Sequence, residues 1–301
     1  MQLLKTQVES LMNVVFAHLV VLQVFNTLSI EQFQLLHCKI GTKNSSSLTW
    51  IKDAAEHGCQ FIDKIYVDRI VHTNRVAKGV EGTRNGKKVV IKANKCVVVS
   101  GGSLNTPALL LRSNIPKLNT HVGKHLRLHP VATVNGIFYD RIVKPHEGSI
   151  LTTVHDFKDA QGYGYKLEVP TSVPGLFAAM QKWTSGFEHK KQMMMWQNTS
   201  TIIVLTRDKD SEGVIRIDGA GKPRLDWALG QKDEKTLVDG MIQGLKVLLA
   251  AGADEVYSGQ VEVESFKRDP KLSLQETLDS KEFKAFTRAV KAAGTLFSYF
   301  D

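Results

Sequence analysis

Val97-Val98-Val99, followed at once by Ser100-Gly101-Gly102, is the stretch that most restricts how this chain folds. Three β-branched residues in a row disfavour a helix, because each loses side-chain freedom against the preceding turn. No polar residue alternates with them, which fits a strand covered on both faces, as in a parallel sheet. The glycines end that strand. Thr106 and Pro107 then make a helix start, as N-cap and first helical residue, and Leu109, Leu110 and Leu111 form the helix body. Asn114 takes the left-handed position after it, and Pro116 blocks continuation. Strand, glycine turn and helix in that order predict an α/β layer.

The flanking sequence divides in character. Upstream, Trp50, Ile51, Ala54 and Ala55 recur at helical spacing before Gly58. A strand follows from Phe61 to Val71, and two more, Val76–Glu81 and Lys87–Ala93, flank Arg84-Asn85-Gly86. Asn-Gly between such runs predicts a hairpin, since both residues tolerate positive φ. Downstream of His129-Pro130, residues 131–229 are short apolar runs punctuated by Gly, Pro and Asp: Val131–Tyr139, Gly148–Val154, Tyr165–Val169, Thr199–Arg207 and Gly213–Ile217. That rhythm predicts an antiparallel sheet. Between them, Gly175 to Trp196 holds Phe177, Met180, Trp183, Phe187 and Met193-Met194-Met195, which suits either a core helix or an apolar pocket. From Lys232 to Ala251 a long amphipathic helix places Leu237, Met241, Leu245 and Leu248 on one face, stopped by Gly252. A further helix lies between Leu272 and Phe300. The fold class expected is therefore α/β plus α+β.

A formal charge of +9 raises the question of nucleic acid, but the lysines and arginines run from Lys5 to Lys291 with no run of four and no aromatic–basic repeat. They read as a solvated surface, and no nucleic-acid partner is expected. The three cysteines, Cys38, Cys59 and Cys96, form no Cys-x-x-Cys pair, and an odd number closes no disulfide framework. A reducing, intracellular setting follows, with Cys96 read as a small core residue. The apolar stretch 11–25 is interrupted by Asn13, His18 and Gln23. It is too short to span a bilayer and lacks the features of a secretory signal. A buried or interfacial helix fits it.

Few constellations carry chemistry. Glycines at the end of a parallel strand let a ligand approach the backbone, and the next helix offers free N–H groups and a positive dipole end, an arrangement suited to a phosphate or ribose. A packing turn explains the same residues. No Gly-x-Gly-x-x-Gly or phosphate-loop pattern occurs in the chain. His121, His125 and His129 stand four apart, but Gly123 and Pro130 argue for a loop and no carboxylate-containing zinc signature accompanies them, so no metal is expected. No Gly-x-Ser-x-Gly elbow is present to support a hydrolase.

The segment Gly102-Ser103-Leu104-Asn105-Thr106-Pro107-Ala108-Leu109-Leu110-Leu111-Arg112-Ser113, with Val122-Gly123-Lys124-His125-Leu126-Arg127-Leu128-His129-Pro130 downstream, resembles the second signature and following phrase of the glucose–methanol–choline oxidoreductases. Cys38-Lys39-Ile40-Gly41-Thr42-Lys43 with Thr49-Trp50-Ile51-Lys52-Asp53-Ala54, Phe177-Ala178-Ala179-Met180, and Ala250-Ala251-Gly252-Ala253 resemble the long-chain (fatty) alcohol oxidase branch. The resemblance spans roughly residues 36–265. It implies a partial FAD-binding Rossmann-like domain (37–130), an antiparallel-sheet substrate domain (131–265), an atypical N-terminal helical segment (1–36) and a C-terminal helical segment (266–301). It implies FAD as cofactor, a long-chain alcohol as substrate, dioxygen as electron acceptor, and membrane association. Carried over by position, Val67 matches the strand residue whose backbone reads the adenine, and Ser100 and Gly101 match the turn near the ribose and phosphates.

The resemblance assigns no catalytic residue within this chain. The family's glycine-rich fingerprint precedes the matching region, and its catalytic histidine sits in a His-Gln-Met-Gly phrase. Here Leu296-Phe297-Ser298 is followed by Tyr299-Phe300-Asp301. The expectation is an incomplete oxidase, inactive by itself. A lipid-binding remnant of the substrate domain, holding its ligand among the Met and Phe residues, is the alternative.

Overall fold

The computed structural model describes residues 45–146, 154–260 and 262–295. The N-terminal segment 1–36 with its apolar stretch 11–25, the segment 38–43, residues 148–153 of the run Gly148–Val154, and Leu296-Phe297-Ser298 lie outside the described residues. In chain order the elements are α1 (Trp50–Glu56), β1 (Ile65–Thr73), β2 (Val76–Arg84), β3 (Lys87–Lys92), α2 (Gly102–Arg112), β4 (Val131–Ile137), β5 (Val154–Lys158), β6 (Gly164–Glu168), α3 (Pro174–Ala179), α4 (Gly186–Met194), β7 (Thr199–Thr206), β8 (Glu212–Ile217), β9 (Pro223–Ala228), α5 (Gln231–Ala250), β10 (Glu255–Ser258), β11 (Phe266–Lys267), α6 (Leu274–Asp279) and α7 (Lys281–Ala293). This is the expected mixture of helix and antiparallel sheet. The described residues form two compact units, one within residues 45–128 and 211–229, the other within residues 129–210 and 230–295.

In the first unit β1, β2 and β3 form an antiparallel meander. Asn85 and Gly86 turn the second hairpin with φ of 50° and 74°, as the Asn-Gly pair predicts. The β8–β9 hairpin joins this unit through main-chain bonds, Leu126 with Gly213 in both directions and Ile215 N–H to the Gly123 carbonyl at 2.6 Å. It comes from within the stretch that the sequence reading gave to the substrate domain.

Three expectations here need correction. Val97–Ser100 is not a strand, and Val98 is 79% exposed. β-branched residues set a local preference, but a strand also needs a neighbour's N–H and C=O groups, and among the described residues none pairs with this segment. Cys96 is correspondingly exposed, not part of a core. The helix also starts a turn early: Gly101 is its N-cap and Pro107 lies inside it. A proline at that sixth position forfeits one bond to the carbonyl four residues back, which is why the sequence places it at the start.

The second unit is a six-stranded antiparallel sheet in the order β11-β10-β4-β7-β6-β5, with α5 across one face. Leu237, Met241, Leu245 and Leu248 are all buried, as their spacing predicts. Gly240 and Gly244, one turn apart, let the helix approach closely. A Cβ on Gly240 would lie 2.5 Å from Val204 Cγ1, and one on Gly244 2.8 Å from Val134 Cγ2. Asp210 and Asp233 fix the helix entry, Asp210 accepting the N–H groups of Lys232 and Asp233, and Asp233 those of Lys209 and Asp210. At the far end Phe283, Phe286 and Val290 of α7 close the core against Phe266.

Candidate functional site

The expected cofactor turn lies in the first unit. Ser100 and Gly101 are exposed and stand directly before α2. No side chain caps the helix, so its first N–H groups keep their hydrogen-bonding capacity. Gly102 has a φ of +73°, and no atom lies within 4 Å of where its Cβ would be. The turn is open.

Val67 is reached from the other end of that helix. Arg112, in the last turn of α2, donates from Nη2 to the Val67 carbonyl at 2.8 Å, from Nε to the Asp68 carbonyl at 2.7 Å and from Nη1 to the Gly221 carbonyl at 3.2 Å. Its guanidinium also lies over the Tyr66 ring at 5.2 Å. A register shift between Val67 and Arg69 sets Asp68 outside the β1–β2 pairing, which leaves its carbonyl for Arg112. Next to it Ser113 Oγ accepts the Ile70 N–H at 2.9 Å and donates to the Leu109 carbonyl at 2.6 Å. Helix and strand are thus sewn together by Arg112 and Ser113. Sequence reading missed Arg112 as a clamp; the available signal was a cation in the last helical turn, where it complements the helix dipole. No described hydrogen bond links Val67 with Ser100 or Gly101.

The histidines do not form a helical face. Residues 120–123 make a turn, with positive φ at Gly123 and again at His125 just beyond it. His121 Nδ1 meets His125 Nε2 at 3.1 Å, and His125 Nδ1 meets Glu212 Oε1 at 2.6 Å. Arg127 holds the other Glu212 oxygen at 3.3 Å. His129 belongs to the other unit. Among the described residues no group of three or more His, Cys, Asp or Glu is arranged to hold a metal.

In the second unit the sheet face away from α5 is polar yet buried, which is the informative exception to ordinary burial. Alternation from Val134, Ile202 and Val256 puts Thr133, Asn135, Thr201 and Tyr257 on it. Thr201 Oγ1 donates to Asn135 Oδ1 at 2.7 Å, and the Tyr257 hydroxyl to Gln181 Oε1 at 2.8 Å. Thr133 Oγ1 is buried without a protein partner. Beside this face a cleft of about 430 Å³ is lined by Ile137, Tyr139, Gln192, Met195 and Glu255 among others. The Tyr139 hydroxyl donates to Glu255 Oε2.

The stretch 175–196 divides into α3 and α4 and is not a single core helix; of its methionines, Met195 lines the cleft beside the sheet. Phe177 is 1% exposed and packs inward, whereas Phe187 and Met194 are 71% and 75% exposed. Met193 and Met194 lie on α4 and point about 100° apart, while Met195 caps the helix end.

Burial, then the Glu255 carboxylate, pushes the Tyr139 hydroxyl up to about 12. Burial and Asp239 do the same to Tyr165, also to about 12. Ultraviolet titration should show these two ionising above the ordinary tyrosine value of 10.0. Both pKa values are raised on folding, so their stabilising contribution is intact below the unfolded value of 10.0 and is lost as pH rises through about 12. A single titration of all tyrosines near pH 10 would contradict this placement.

The profile of the GMC oxidoreductases matches residues 13–131 of the chain. The chain is 30% identical over 275 residues to the long-chain-alcohol oxidase FAO4B of Arabidopsis thaliana, covering 85% of this chain and 35% of the relative. It is 32% identical over 267 residues to long-chain-alcohol oxidase FAO3 of the same plant, covering 81% and 35%. It therefore spans about a third of the length of these curated relatives. A pyridoxine 4-oxidase from Mesorbium loti superposes with a TM-score of 0.44 at 14% identity, covering 62% of this chain and 38% of that one.

Proposed function

We propose, for a chain that belongs to the GMC oxidoreductases, that it supplies the adenosine side and a substrate-facing sheet of an FAD-dependent long-chain-alcohol oxidase, and that it does not turn over by itself. The overall reaction would convert a primary alcohol and dioxygen to an aldehyde and hydrogen peroxide. The observation that carries this reading is the Arg112 clamp, which fixes the helix behind the open Ser100-Gly101-Gly102 turn against the strand bearing Val67.

The residues present fit part of the cofactor. The uncapped first turn of α2 and the space above Gly102 suit a phosphate, and the Val67 backbone suits a purine edge, which would share the Val67 carbonyl with Arg112. FAD, when bound, would supply the hydride acceptor and pass two electrons to dioxygen. The chain's own residues would bind and orient. Val67, Ser100 and Gly101 act through backbone and a hydroxyl, and none is an acid or base able to take the alcohol proton. The buried polar face with Thr133, Asn135 and Thr201 would turn toward the substrate. The separate lipid-binding reading draws less support, because Phe187 and Met194 among the residues it relied on are exposed.

The test is to mix the purified chain with FAD and 1-dodecanol in air and follow hydrogen peroxide. No peroxide above the free-flavin blank is expected. Sustained production would contradict the proposed inactivity.

A further inference from the structure

The second unit also carries a cationic cleft toward the β5–β6 end of the sheet, on the face that carries Thr133 and Thr201. It has a volume of about 520 Å³ and is lined by His129, Asp156, Lys158, Lys166 and Arg207 around the backbone of Gly164. Register explains the arrangement. Lys158 pairs with Gly164 across β5–β6, and the Arg207 N–H bonds to the Gly164 carbonyl at 3.0 Å on the other side. Gly164 therefore sits between two cationic residues with no side chain of its own. Adjacent strands lie about 4.8 Å apart, so the Arg207 and Lys158 backbones are separated by about 10 Å across that gap. Lys166, two residues along the same face, stands about 7 Å from it.

A glycine is required there. Gly164 has a φ of +154°, and a Cβ would lie 1.8 Å from the Phe157 carbonyl oxygen. The cleft floor is thus enforced by the hairpin, and its charged walls follow from pairing.

The charges are unbalanced. Asp156 is the one acid lining the cleft, and it is engaged by Lys158 at 2.9 Å. Asp159 in the adjoining turn accepts the Gln161 and Tyr163 N–H groups. Arg207 is held in place, donating from Nη1 to the Gly162 carbonyl at 3.2 Å and stacking at 4.7 Å over Tyr163. Its remaining N–H groups stay available, because a guanidinium carries five. Three permanent cations against one carboxylate leave an excess of two positive charges around a small open floor.

We propose that this cleft binds a phosphate-type dianion, with Arg207 and Lys166 as its principal donors. Guanidinium geometry matches a phosphate edge, and two flanking ammonium groups match its charge. The group is either free phosphate or a lipid phosphate headgroup, and the two are separable by experiment.

Inorganic phosphate is titrated into the full chain by calorimetry at low salt. In parallel, flotation is measured with phosphatidylcholine vesicles with and without phosphatidic acid. Arg207→Ala and Lys166→Ala are each expected to weaken binding about tenfold, the scale of a hydrogen bond to a charged partner, while Lys190→Ala on α4 leaves it unchanged. Lys166 is exposed, so its variant should retain the native melting temperature and separates loss of binding from loss of fold. Saturable phosphate binding weakened by both substitutions supports the site with a free ligand. Binding only to phosphatidic acid vesicles, lost in both variants, supports it with a headgroup. Binding to neither, survival in both variants, or equal weakening by Lys190→Ala overturns it. None of these outcomes depends on flavin binding.

Discussion

Leu245→Ala is expected to destabilise the second unit by about 3–5 kcal/mol, measured by denaturant unfolding. Leu245 is fully buried in the middle of α5, and the two glycines on that helix bring its backbone too close to the sheet for neighbours to collapse inward. The cost is therefore lost transfer energy plus a cavity that stays open. Leu176, which is 46% exposed, provides the contrast: its alanine variant should fall within about 1 kcal/mol of the parent. If Leu245→Ala cost no more than Leu176→Ala, α5 would not be packed as described.

Arg112→Ala should be the most damaging single change in the first unit, by about 3 kcal/mol. Its guanidinium serves three main-chain carbonyls, at Val67, Asp68 and Gly221. Each bond from a charged donor is worth about 1.5–3 kcal/mol, and the three are not additive because one side chain makes them all. Arg112→Lys should recover little, since an ammonium cannot reproduce a fork that bonds two successive carbonyls. Amide exchange at Ile70 and Val71 should quicken in both variants as β1 loosens from α2. A lysine variant as stable as the parent would mean that charge, not the geometry of the clamp, holds the helix.

Patterns governed by nearby residues were legible in the sequence. The Asn85-Gly86 hairpin, the spacing of Leu237, Met241, Leu245 and Leu248, and the strands at Val131–Ile137, Gly164–Glu168, Thr199–Thr206 and Glu212–Ile217 follow from turn chemistry and periodicity; Val154–Lys158 was not expected. What failed depended on distant partners. Val97-Val98-Val99 has the composition of a buried strand, but the described residues give it no neighbour to bond with. β9, Pro223–Ala228, is mostly exposed and so lacks the apolar alternation that marks a strand. Its hairpin joins the first unit through bonds from Gly213 and Ile215 of β8 back to Leu126 and Gly123, across more than eighty residues of chain. The same limit applies to the site. Ser100 and Gly101 are proposed through a motif resemblance, but Arg112 gains its role from Val67 and Asp68, more than forty residues earlier.

The most direct measurement is an amide-resolved NMR titration of the isotopically labelled chain with FAD and, separately, with ADP. If the first unit forms the adenosine side of a flavin site, the Val67, Ser100 and Gly101 signals shift together with both ligands, and Arg112→Ala abolishes the Val67 response. Shifts confined to other residues, or no saturable change with either nucleotide, would contradict the assignment.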